Sequence, residues 1–88
     1  MSAEADWRPA LSASVRLRYD PVRRAELLLM PERVVRLNEE GGRILRLCDG
    51  HATVADIVAG LREAHPGAPI GDDVPAFLAR LRERGWLR

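Results

Sequence analysis

Cys48, His51 and His65 are the only cysteine and the only histidines of the 88-residue chain, and their C-x2-H-x13-H layout invites a metal reading. Structural zinc needs four nitrogen or sulfur ligands at short spacings; a fourth is missing here, so a buried cysteine and two surface histidines are expected. Nucleophilic catalysis has little to draw on, because Ser2, Ser12 and Ser14 are the only serines and all lie far in sequence from either histidine. Gly41-Gly42 is not followed by a phosphate-binding lysine and reads as a site of tight helix packing. Asp72-Asp73 cannot act as an acid/base pair on a helix, where adjacent positions do not face each other, and capping explains both. The expectation is therefore a non-enzyme with no catalytic residues, metal or cofactor.

The elements that position these residues are legible in the hydrophobic periods. Residues 1–13 follow neither a helical nor a strand period and are expected to form a flexible arm, with Trp7 either loose on the surface or docked. Residues 14–88 form the expected domain. Val15, Leu17 and Tyr19 alternate with Arg16, Arg18 and Asp20, the period of a strand with one buried face. Leu27-Leu28-Leu29-Met30 fits a central strand buried on both faces, and Val34, Val35 and Leu37 a third strand. Turns at Asp20-Pro21 and Pro31-Glu32 are short enough to favour an antiparallel meander with the first and third strands at the edges.

Three helices follow. Asn38 is suited to cap the first, whose inner face carries Ile44, Leu45 and Cys48, and Gly50 to take the left-handed conformation that closes it. Thr53 with Asp56 makes a variant capping box for the second, which presents Val54, Ile57, Val58 and Leu61. The third is expected to begin at Asp72-Asp73 as caps, with Val74, Phe77, Leu78 and Leu81 inside and Gly85 at its end. The fold class is α+β: a three-stranded antiparallel sheet followed by a three-helix bundle, the helical part similar to a winged helix-turn-helix.

Bulk composition narrows the partners. Fourteen arginines, no lysine and thirteen acidic residues leave a net charge of +1, which argues against a polyanion-binding surface. One cysteine excludes an intrachain disulfide, no signal-peptide pattern opens the chain, and no apolar run approaches the roughly 20 residues that span a bilayer, so a cytoplasmic, non-membrane location is expected. The third strand, as an edge, offers unpaired N–H and C=O groups to an extended peptide, unless Arg33 and Arg36 serve only to guard it against aggregation. Edge pairing or arm exchange would also permit a homodimer.

Leu37-Asn38, Ile44-Leu45, Cys48-Asp49-Gly50 and Thr53-Val54-Ala55-Asp56-Ile57 together resemble the signature of the PqqD-like family, small peptide chaperones of pyrroloquinoline quinone (PQQ) biosynthesis. The likeness runs over roughly residues 15–88, and the pattern is shared with recognition domains of other ribosomal-peptide pathways. The resemblance implies that a PqqA-like precursor peptide lies as a fourth strand along Arg33, Val34, Val35, Arg36 and Leu37. A groove lined by the last helix, at Asp73, Phe77, Arg80 and Arg84, would receive its side chains. It further implies an adaptor that presents this peptide to a PqqE-like radical S-adenosylmethionine enzyme. Core packing for Phe77 and a solvated face for Arg80 and Arg84 are the plainer readings of those residues. The competing classes are a purely structural interaction domain and a winged-helix DNA-binding protein using the basic cluster Arg80, Arg82, Arg84 and Arg88.

Overall fold

The alternating residues after Val15 form β1 (Arg16–Asp20) in the computed structural model, which describes residues 6–88. Asp20 makes the following turn. Its carboxylate accepts from the N–H of Val22 at 2.9 Å and of Arg23 at 3.3 Å and pairs with the Arg23 guanidinium at 2.6 Å. The chain returns as β2 (Ala25–Met30), turns at Pro31-Glu32 and continues as β3 (Arg33–Arg36), giving an antiparallel sheet of order β1-β2-β3. Leu17, Leu28 and Val35 are cross-strand partners on the inner face, so one row of side chains from all three strands faces the helices.

The two-residue alternation holds in full only where a helix covers the sheet. Tyr19, expected inside, is 48% exposed, because β1 is an edge strand and Tyr19 lies beyond the part of it that packs on the core. Leu27 and Leu29, expected to be buried, are half-buried and do not join the core, because helices cover only the face that carries Leu28.

The helices are α1 (Glu39–Arg46), α2 (Val54–Ala64) and α3 (Ile70–Glu83). Asn38 caps α1, its side-chain oxygen accepting from the Gly41 N–H at 2.7 Å. Thr53 and Asp56 form the reciprocal capping box of α2, each bond 3.1 Å long. Gly50 takes the expected left-handed conformation, φ +83°, but does not close α1, which already ends at Arg46 with Leu47 as its cap; the Gly50 N–H donates instead to the Pro9 carbonyl at 3.0 Å. α3 starts two residues earlier than the carboxylates suggest, at Ile70, behind Pro69, which supplies no side-chain cap. Asp72 and Asp73 lie in its first turn and act there on the exposed positive end of the helix rather than as caps. Ile70 joins Val74, Leu78 and Leu81 as the buried stripe, and Pro75 sits inside the helix, where it withholds one backbone donor.

The core is one cluster joining Leu28 of the sheet, Leu45, Ile57 and Leu61 of the first two helices, Cys48 of the connection between them, and the α3 stripe. Gly42 lets α1 lie directly on the sheet: a Cβ there would come within 2.5 Å of the Glu26 Cγ. The glycine pair is a packing device, as its sequence context suggested.

The expected flexible arm is corrected by the structure from residue 7 onward; residues 1–5 lie outside the described residues. Ala10 and Arg88 exchange both backbone hydrogen bonds, at 3.2 and 2.9 Å, and Leu11 bridges Leu87. The Ser12 N–H donates to the Trp86 carbonyl at 3.0 Å, and the Trp7 indole N–H to the Arg88 carbonyl at 3.1 Å. Pro9 is fully buried. Proline and the scattered small residues hid this segment from period-based reading, because it is held by single bridges rather than by a regular ladder.

Candidate functional site

The free edge of β3 is defined by which backbone groups the ladder consumes. The Leu37 N–H donates to the Glu26 carbonyl at 2.9 Å, and bonded pairs alternate along an antiparallel ladder. Arg33, Val35 and Leu37 therefore turn their polar groups toward β2, whereas Val34 and Arg36 turn theirs outward. Side chains follow the opposite logic: those of Val35 and Leu37 face the helices and pack against the core, while Val34, 61% exposed, and Arg36 project from the other face.

A groove of about 260 Å³ runs between the start of α1 and the side of α3, lined by Asn38, Gly41 and Ile44 on one wall and Asp73, Phe77 and Arg80 on the other. Phe77 is half-buried at its floor, and Gly41 has no side chain to fill it, since a Cβ there would approach the Phe77 ring at 3.5 Å. Toward the end of α3, Arg33 and Arg84 both stack on Trp86, their guanidinium carbons 5.6 and 5.3 Å from the ring centroid. The N-terminal segment fixes Trp86 in place through the bond from Ser12.

The anticipated residues thus fall into four groups. Val35 and Leu37 pack their side chains against the core. Asp73, Phe77 and Arg80 share the groove with α1. Arg33 and Arg84 meet over Trp86, outside the groove's lining. Val34 and Arg36 contribute backbone rather than side chains, Arg36 lining a separate open hollow of about 750 Å³ with Arg24 and Arg46. The α1 wall and Trp86 were not assigned to the site from sequence; the glycine pair after Asn38 and the lone tryptophan after Gly85 were the available signals.

Electrostatics divide the groove. Among the described residues the ion pairs are Arg23–Asp20, Arg43–Glu39 and Arg46–Glu26, so Arg33, Arg80 and Arg84 carry no carboxylate partner. Within the groove Glu40 and Asp73 offset Arg80, while over Trp86 two guanidinium groups, of Arg33 and Arg84, come together. No group of three or more metal-ligating side chains occurs among the described residues. Cys48 is buried, and desolvation, with the neighbouring Asp49 carboxylate second, pushes its thiol up to about 12, so it stays protonated at neutral pH. No helix of the described chain is long and apolar enough to cross a membrane.

A three-stranded sheet covered by helices on one face, with the free β3 edge beside an apolar-floored groove, defines a small domain of the binding kind. Comparison with known proteins gives its family. Residues 26–87 match the family described as Coenzyme PQQ synthesis protein D (PqqD), and the chain belongs to it. The PqqA binding protein of Pseudomonas aeruginosa is 41% identical over 83 residues, covering 93% of this chain and 90% of that one. The PqqA binding protein of Azotobacter vinelandii is 40% identical over 80 residues, covering 90% and 87%. Among solved structures, the PqqD portion of Methylobacterium extorquens PqqCD, described as a functional and stand-alone recognition element for a ribosomally synthesised and modified peptide, superposes with a TM-score of 0.78 at 34% identity, covering 100% of this chain and 95% of that one. The crystal structure of PqqD from Xanthomonas campestris gives 0.59 at 33% identity, covering 100% and 98%. The names of these relatives describe binding, not catalysis, in line with the expectation of a non-enzyme.

Proposed function

We propose that this chain is the peptide-binding chaperone of PQQ biosynthesis and takes a PqqA-like precursor peptide as a fourth strand on β3. The observation that carries this reading is the pairing of the outward backbone groups of Val34 and Arg36 with the groove beside them. Main-chain hydrogen bonds to those two residues supply affinity that is indifferent to sequence; the alternate peptide side chains that turn inward meet Val35, Leu37 and Phe77 and supply selection. Apolar residues of the peptide belong on that floor. Acidic residues belong over Trp86 at Arg33 and Arg84, neither of which has an ion-pair partner among the described residues. The names of the curated relatives, PqqA binding proteins, support this choice of peptide over those of other ribosomal-peptide pathways.

Without catalytic groups of its own, the chain serves as an adaptor. It raises the local concentration of peptide at a PqqE-like radical S-adenosylmethionine enzyme, which performs the chemistry. A backbone amide NMR titration with the synthetic precursor peptide tests the reading. Shifts concentrated in residues 33–37 and 73–86 are expected. Shifts confined to β1 or α2, or no response to peptide alongside a salt-sensitive response to duplex DNA, would sink it.

A further inference from the structure

The sheet has a second surface, away from the helices, most of which lies on β1 and β2 and clear of the peptide edge. On the face turned away from the helices, the register sets Arg16, Leu29 and Val34 in one cross-strand row and Arg18, Leu27 and Arg36 in the next. Neither leucine nor Val34 packs against the core, and Val34 is 61% exposed. None of the three arginines forms an ion pair among the described residues, and the two rows contain no carboxylate. Asp20, next along β1, is tied up by Arg23 and by its own turn. The result is an apolar strip bordered by unpaired positive charge.

We propose that this outer sheet face docks the enzyme that modifies the peptide, through a surface of that enzyme in which carboxylates border apolar side chains. The inference rests on the adaptor reading above. An adaptor must hold both partners at once. A strand added to β3 occupies the sheet's edge and the groove on its inner side, so the outer face remains open in the peptide complex. Aliphatic side chains ringed by arginines are the composition of an interface whose partner is acidic, where charge complementarity sets orientation and encounter rate. A second copy of this chain is a poor occupant, because it would oppose three arginines with three more. Nucleic acid is poorly served too: the face has no aromatic ring on which a base could stack, and the chain's net charge is only +1.

The test uses the full chain with Arg16→Glu and Arg18→Glu combined, on the strand farthest from the peptide edge, and Leu29→Arg as an independent variant. Native amide spectra confirm folding. Titrations are run with the purified PqqE-like enzyme, with the synthetic precursor peptide, and with a short DNA duplex. Enzyme affinity is expected to fall about ten-fold or more in each variant and to weaken further with salt in the parent, while peptide affinity stays within about two-fold. Enzyme binding that is unchanged in folded variants, or absent in the parent, overturns the proposal, as does duplex binding that the same variants abolish. If the parent fails to bind peptide while the variants still lose the enzyme, the peptide-binding reading falls and the docking face stands.

Discussion

Proline at position 34 removes a hydrogen-bond donor from the free edge of β3 without touching the ladder that holds the strand. The Val34 N–H points outward, and an edge strand accommodates proline where its N–H faces solvent. In the free protein Val34→Pro should therefore fold, with a loss of at most about 1 kcal/mol from the altered φ. In the complex, the peptide carbonyl that would have met this N–H is left without a partner as the strand closes over it. An unsatisfied group of that kind costs about 1–3 kcal/mol, which corresponds to a fall in affinity of about 5- to 150-fold. Val35→Pro is the contrasting variant. Its N–H belongs to the pair with Leu28, the most central residue of the sheet, so it should lower the melting temperature well before it reports on binding. Calorimetric titration of the precursor peptide into each variant, with thermal unfolding in parallel, separates the two effects. Val34→Pro that folds and binds as tightly as the parent would refute strand addition at this edge, and Arg36→Pro, which removes the other outward donor, provides the repeat.

Two glycines should respond in opposite directions to alanine. Gly60 lies exposed within α2 with nothing within 4 Å of the point a Cβ would occupy, so Gly60→Ala should stabilise by about 0.5–1 kcal/mol, whereas Gly42→Ala drives a methyl into the Glu26 side chain and should cost about 1–3 kcal/mol, both read by denaturant unfolding. Cys48 should label with a thiol reagent at neutral pH only as fast as the domain opens, because its thiol is buried and raised to about 12; rapid stoichiometric labelling of the folded protein would contradict its place in the core. Acid should destabilise the fold. Asp20, Asp49 and Asp56 are held below the usual 3.8, Asp20 chiefly by the Arg23 side chain, Asp49 by the His51 N–H and Asp56 by the Thr53 N–H. The unfolded chain thus takes up protons first as pH falls, so their contribution is present above 3.8 and is lost as pH passes down through the lowered folded values. Asp56→Asn should give a lower melting temperature at pH about 7 and a shallower decline below about 4 than the parent.

Caps and strand order were legible in the sequence because each is a local device. Asn38 and Thr53 with Asp56 act within three residues, and the hydrophobic periods named the strands to within two residues. What failed to show were relations across distance. Tyr19 follows the inward period of β1 and still faces water, since period states which side a residue points to and not whether anything covers that side. Leu27 and Leu29 look like a doubly buried strand because an apolar run carries no mark of a missing layer. Asp72 and Asp73 suggested the start of α3, yet the buried Ile70 extended the helix backward past them, packing overriding a capping preference. The site suffered in the same way. Its members on β3 and α3 were named through family resemblance, but the division of β3 into residues that lend backbone and residues that lend side chains depends on hydrogen-bond phase, which only the ladder fixes. Trp86 acquires its position from residues 7–12, a segment with no period at all.

The pairing of Ala10 with Arg88 has a bearing on protein architecture. Residues that exchange both hydrogen bonds lie about 5.5 Å apart at their Cα atoms, so the segment that follows the buried Pro9 and residues 86–88 are clasped side by side. Because the Trp7 indole also bonds the Arg88 carbonyl, a linker running from Arg88 to a point just before Trp7, with new ends opened at the Pro66-Gly67 turn, would leave the buried Pro9 and the interior in place. Ligation of this kind would back the hydrogen bonds of the clasp with a covalent ring, and so restrain the segment that seats Trp86 beneath Arg33 and Arg84.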